Sequence, residues 1–246
     1  MENALLIGLS RQVALARELD VIANNMANVN TNGFKARSSR FAEYLMPKAS
    51  ADAFPSPDRR LSYVIDAGTP VDFSTGSIDR TGNPLDAAIN GDAFFAVQTP
   101  AGERYTRNGA FQLNPQGQLV NSDGFQVLGD NGPIAFDPQE SGAEIGVDGT
   151  VTTSQGQRGR IRLVRFDNPQ ALVNEGANLF SSTAPAQAAG ATSRIQNGAV
   201  ERSNVKAVVE MTRLMEVNRS YSSVASTVSR IDELRRTAIQ RLAETA

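Results

Sequence analysis

The chain has 246 residues, 40% of them apolar and 20% charged, with 24 Lys and Arg against 26 Asp and Glu. That length admits one or two domains with a real core, and the small net charge fits neither a basic nucleic-acid binder nor an acidic disordered tail. No Cys, His or Trp occurs, which excludes disulfides, thiolate nucleophiles, Cys-ligated zinc, histidine-based triads and a well-supplied base-stacking platform.

The chain opens with an acid at Glu2, and its first apolar run ends at Ser10 and Arg11. No cleaved signal peptide and no membrane span are expected from such a start. Apolar residues then recur at Leu5, Leu9, Ala16, Leu19, Ala23 and Met26. With Gln12 inserted, the spacing alternates between four and three residues, the rhythm of a coiled-coil seam, and predicts a helix over about 3–28. The stop is dense in Asn24, Asn25, Asn28, Asn30, Thr31, Asn32 and Gly33. Asn competes for backbone hydrogen bonds, and Gly suits the left-handed turn that ends a helix.

The middle has the opposite grammar. Every Pro lies between Pro47 and Pro185, and every Gly but Gly8 and Gly33 lies between Gly68 and Gly198. Asx-Gly pairs such as Asn90-Gly91, Asn108-Gly109, Asp123-Gly124, Asn131-Gly132 and Asp148-Gly149 separate short β-rich runs. Strands are predicted over 61–65, 93–98, 104–106, 111–113, 118–120, 125–128, 147–152 and 160–166, as in a sandwich or barrel. Residues 47–60 and 182–199 read as linkers.

The last part contains neither Gly nor Pro after Gly198. Ser203 and Asn204 are candidate helix caps. Leu214, Val217, Tyr221, Val224, Val228 and Ile231 repeat at threes and fours, with Arg235, Ala238 and Leu242 continuing the rhythm. Val208, Met211 and Met215 make a second stripe. A helix over about 203–243 would be roughly 60 Å long, longer than a small domain is wide.

The expected fold class is therefore α+β, with long N- and C-terminal helices forming a coiled-coil-like layer and flanking a central all-β domain. The divisions are 1–32, 33–202 and 203–246. A half-apolar helix needs a partner in water. The two tails can cover each other, but neighbouring copies are the expected main partners. On that reading both tails are largely disordered in the free chain and fold on assembly. Leu5, Leu9, Leu19, Met26, Leu214, Val217, Tyr221, Val224, Val228 and Ile231 are assigned to inter-subunit packing.

Other chemistry is thin. Arg158, Arg160 and Arg162 share one face of a predicted strand, either as an anion patch or as a solvated edge that discourages sticking. Asp86, Asp92, Asp123 and Asp130 suit turns better than a metal site, and no EF-hand or phosphate-binding loop occurs. Neither an enzyme nor a cofactor nor a nucleic-acid partner is expected. A stalked β-domain binding module and a two-carboxylate glycan-cleaving enzyme are the competing readings.

Three blocks resemble the flagellar rod and hook proteins. Residues 19–35 read LDVIANNMANVNTNGFK and are similar to the N-terminal signature of that family, through Asn24, Asn25, Asn28, Asn30, Thr31, Gly33 and Phe34. Tyr105, Thr106, Arg107, Asn108, Gly109 and Phe111 are similar to its central β segment. Ser203, Asn204 and Val205, leading to Met211, Met215 and Tyr221, resemble its C-terminal block. The resemblance implies a structural subunit of the basal-body rod that crosses the periplasm and transmits motor torque. It implies copies of itself and other rod proteins as partners, and export through the flagellar type III apparatus without a cleaved leader. Chain length and the opening residues point to the proximal rod, with the distal rod or another axial subunit as the alternative.

Overall fold

The computed structural model describes residues 2–45, 62–66, 68–137, 140, 142–190 and 193–244. The chain divides into two compact units. The helical unit takes Met1–Ala27, Arg37–Val71 and Lys206–Ala246, and the β unit takes Asn28–Ala36 and Asp72–Val205. Residues 37–71, expected in the middle region, thus belong with the helices. The linker predicted over 47–60 lies outside the described residues.

In the helical unit, α1 spans Glu2–Ala27 and α2 spans Ala207–Glu244. Neither contains Pro, and Gly8 is the one Gly inside them. Gly8 faces Val228, Gln12 donates to the Tyr221 hydroxyl at 3.2 Å, and Glu18 pairs with Arg213 at 2.7 Å. These contacts run in opposite chain directions, so the helices are antiparallel. Each tail therefore finds cover on the other within one chain, the first of the two kinds of partner the sequence allows. Ser203 and Asn204 do not cap α2: Ser203 accepts from Val205 N, and Asn204 is bonded to other segments. A two-stranded ribbon, β1 (Phe41–Leu45) against β2 (Ser62–Asp66), completes this unit. Ser38 N bonds Pro70 O and Arg40 N bonds Gly68 O below the ribbon.

The β unit is antiparallel throughout its named strands. Its strands are β3 (Ile78–Arg80), β4 (Ala87–Asn90), β5 (Phe94–Thr99), β6 (Gly102–Thr106), β7 (Gln112–Leu113), β8 (Leu119–Val120) and β9 (Gln126–Gly129). They continue as β10 (Gly132–Pro133), β11 (Glu144–Ile145), β12 (Thr150–Thr153), β13 (Gly156–Arg160), β14 (Leu163–Arg165) and β15 (Val173–Gly176). The last are β16 (Leu179–Ser181), β17 (Gln187–Ala188), β18 (Arg194–Asn197) and β19 (Ala199–Glu201). The main sheet runs β15-β16-β6-β5-β9-β8-β7, with β10 on β9 and with β14 joining β5 to β17. A three-stranded sheet holds β11-β12-β13. The late strands β18 and β19 pair with the early strands β4 and β3.

Strand β5 is covered on both faces, which explains its continuous apolar run. Phe95 and Val97 enter the main core with Ile89, Phe111, Leu119, Val127, Val151 and Ile195. Phe94 points the other way and meets Phe73, Phe166 and Phe180 edge-on, at 5.6, 5.9 and 6.2 Å between ring centroids. The buried rings of Phe94, Phe166 and Phe180 each contribute about 1.5–3 kcal/mol. The stretch 182–199, read as a linker, contains β17, β18 and the start of β19. β18 and β19 are held by pairing with residues a hundred or so positions earlier, and the two-residue β17 by β14, which leaves no local alternation to detect.

Candidate assembly surface

On α1 the covered residues include Leu5, Gly8, Gln12, Ala14, Leu15, Leu19, Ile22 and Met26. The predicted seam had the right rhythm, but Leu9 and Ala23 stand exposed while their neighbours Gly8 and Ile22 are covered, and Ala16 is half-buried like Leu15. Ile22 is fully buried, whereas Ala23 and Leu9 are exposed. Ile22 is also larger than Ala23, a size signal that periodicity alone ignores. On α2, Val217 is buried and Leu214, Tyr221, Val224, Val228 and Ile231 are half-buried. These residues share the face that carries the Tyr221 and Val228 contacts to α1. Nine of the ten residues assigned to inter-subunit packing are thus wholly or partly covered in a single chain, and Leu9 is the one that stands exposed.

The pairing is incomplete. A Cβ on Gly8 would come within 2.7 Å of Val228, so this Gly allows close approach there. Nearby, an open groove of about 740 Å³ lies between the helices, lined by Ile7, Gly8 and Arg11 and by Ser223, Val224 and Ile231. Outside the pair, α1 exposes Leu6, Leu9 at 49% and Val13 at 63%. These three lie at i, i+3 and i+7, one stripe. At the start of α2, Val208 at 80%, Met211 and Met215 form a second exposed stripe at the same spacing.

The Asn-rich stop turns out to be a set of specific bonds. Asn25 is buried in the last turn of α1 and holds the backbone of Arg37 twice, donating to its O at 2.8 Å and accepting from its N at 2.9 Å. Asn24 and Asn30 are exposed. Asn28 accepts from Thr31 through both its backbone and side-chain oxygens, at 3.1 and 3.2 Å. Gly33 has φ of 68° and packs on the backbone of Asn108, so a side chain there meets both left-handed strain and a collision.

Within the β unit, the two motif blocks converge. Phe34 and Lys35 are buried beside Arg107 and Glu201. Gly33 N donates to Glu201 O at 2.7 Å, and Ala36 N to Asn204 Oδ1 at 2.7 Å. Asn204 Nδ2 reaches Asp72 O and Ser74 O at 2.9 and 3.1 Å. Tyr105 stacks edge-on against Phe166 at 4.8 Å, and Phe111 against Phe95 at 5.0 Å. Thr106 accepts from Asn108 N at 3.0 Å, and Gly109 O accepts from Ala87 N at 3.0 Å. Glu201 had not been singled out, since an acid after Ala199 and Val200 carries no local signal of burial.

The remaining candidates resolve into pairing and turn chemistry. Arg158 pairs with Glu140, Arg162 with Glu103 at 2.5 Å, and Arg160 donates to Asp148 O at 2.9 Å. Such a strand face is neutralised rather than offered to an anion. Asp86 accepts from Thr81 and Asn83 at 2.5 and 3.0 Å, closing its own turn. Among the described residues, no cluster of three metal-binding side chains occurs, and no helix is long and apolar enough to cross a membrane.

Three family models match the chain. Residues 5–35 match the flagella basal body rod protein, 88–153 the flagellar hook protein FlgE/F/G D1 domain, and 196–241 the flagellar basal body rod FlgEFG protein C-terminal region. The chain is 43% identical to the flagellar basal-body rod protein FlgF of Caulobacter vibrioides, with 98% of each chain covered. It is 37% identical to FlgF of Mesorhizobium japonicum, with 92% of each covered. It is 34% identical to the flagellar basal-body rod protein FlgG of Buchnera aphidicola subsp. Schizaphis graminum, over 88% of this chain and 90% of that one.

Proposed function

The chain belongs to the flagellar basal-body rod protein family, and from that premise we propose that it is a proximal-rod subunit whose terminal helices build the inner layer of the tube. It is a structural subunit of the flagellar basal body, serves motility, and is most like FlgF. Similarity to FlgG-type chains over nearly the whole length favours the distal rod as the second reading.

One observation carries the assembly reading: the helix pair leaves apolar stripes uncovered. Leu6, Leu9 and Val13 on α1, and Val208, Met211 and Met215 on α2, keep from about half to four fifths of their surface exposed. Water penalises such surface by about 25 cal/mol per Å². Neighbouring rod subunits supply the cover, in heterologous contacts that repeat along an open helix and resist torque. Leu5, Leu19, Met26, Leu214, Val217, Tyr221, Val224, Val228 and Ile231 first join the chain's own helices. The surface they retain, together with the groove beside Gly8, completes the neighbour contact. Export through the flagellar type III apparatus as an unfolded chain, without a cleaved leader, fits helices rich in Ser and β-branched residues, which are mediocre helix formers alone.

The test replaces Leu9 and Val13 with Asp in one strain, and Met211 and Met215 with Asp in another. Purified basal bodies should lack rods beyond the position of this subunit and swimming should stop, while the β unit melts at its usual temperature. Swimming cells with complete rods would overturn the assembly reading. A tagged copy found at the distal end of the rod would exchange the proximal reading for the distal one.

A further inference from the structure

Three charged side chains meet inside the β unit with almost no solvent. Lys35 is 2% exposed, Arg107 2% and Glu201 0%. Lys35 Nζ lies 2.6 Å from Glu201 Oε1, and Arg107 Nη1 lies 3.5 Å from Glu201 Oε2. Lys35 Nζ also donates to Ser74 O at 2.7 Å, and Gly76 N donates to Glu201 Oε1 at 2.9 Å. The Arg107 guanidinium sits 4.9 Å from the centroid of the Phe94 ring. Two cations thus share one anion. Burial pushes both the Lys35 amine and the Arg107 guanidinium below their ordinary range, and Glu201 is the largest influence pushing back. Asp72 acts weakly on Lys35, and Asp92 on Arg107, in the same sense as Glu201.

The charge balance depends on where Glu201 lies in the chain. It ends β19, and the pairs β19–β3 and β18–β4 make the last strands cover the first. Asn204, three residues on, bonds the backbone of Ala36, Asp72 and Ser74. Until this stretch docks, closing the unit would bury two cations without their shared carboxylate. An unpaired buried charge is among the costliest defects a fold can carry.

We propose that Lys35, Arg107 and Glu201 form a closing latch that keeps the β unit open until residues 199–204 have arrived. In a chain that travels unfolded to the rod, the latch holds off folding until the whole β segment is free. That consequence rests on the export reading; the latch itself is a property of the isolated chain and is tested there.

The experiment refolds the full-length protein from urea with pulsed hydrogen exchange. The amides of Gly33 and Gly76 should gain protection in the same phase as those of β5 and β6. Thermal melting of charge variants supplies the second readout. Glu201→Met strands two cations and should lower the midpoint of the β unit by roughly 10 °C. Lys35→Met and Arg107→Met each leave one balanced pair and should lower it by less than half as much. The triple Met variant should regain most of the loss and protect β5 and β6 ahead of residues 199–204. If Glu201→Met does not refold, Glu201→Gln takes its place and the same order is required. Early protection of β5 and β6 in the unaltered protein, or a Glu201 variant no less stable than Lys35→Met, overturns the latch.

Discussion

Asn25 shows how much a residue's partner adds to its type. Its amide makes two hydrogen bonds to Arg37 from a buried position, closing the end of α1 onto the segment that leads to the ribbon. Replacing it with Ala leaves a buried N–H and C=O unpaired, at about 2–3 kcal/mol. The exposed neighbour Asn24, changed to Ala, should cost under about 1 kcal/mol. Urea denaturation followed by helical circular dichroism separates the two, and equal losses would show that the pair acts only as a helix stop. The helix stop itself was legible, because Asn and Gly act on their own backbone. The partners were not legible: Arg37 is 12 residues from Asn25, and Glu201 is 166 from Lys35. No local rule pairs residues across such spans.

The helices show both the strength and the limit of periodicity. Spacing in threes and fours marked both elements to within a few residues, since one covered face repeats every turn. It left the phase open between two adjacent stripes of α1, and at Ile22 the larger side chain decided it. The short strands β17, β18 and β19 were unreadable for a different reason: their stability comes from partners in β14, β4 and β3 rather than from alternation. Val224 and Ile231 line the groove against α1. Replacing both with Asp should separate the helices and remove most of the helical signal, with the β unit melting as before. If the helical signal survives in dilute protein, the α1–α2 pairing is not what holds α2 folded.

Across the whole chain, fold class and family were legible from the order of two helix-period ends around a turn-rich middle. What sequence did not reveal is that segments 33–36, 72–74 and 201–204 of the β unit run side by side. Gly33 N meets Glu201 O at 2.7 Å, and Phe34 O accepts from Asn204 N at 3.4 Å. Turns that make no bond to this junction can lengthen without disturbing it. The exposed Gln155, at the tip between β12 and β13, is such a turn. A short unstructured epitope tag inserted there should leave melting of the β unit within a few degrees and permit rod assembly, which antibody labelling of basal bodies from swimming cells would report. By the same logic, this β unit can grow by lengthening turns remote from that junction, while the bonds among 33–36, 72–74 and 201–204 stay constant.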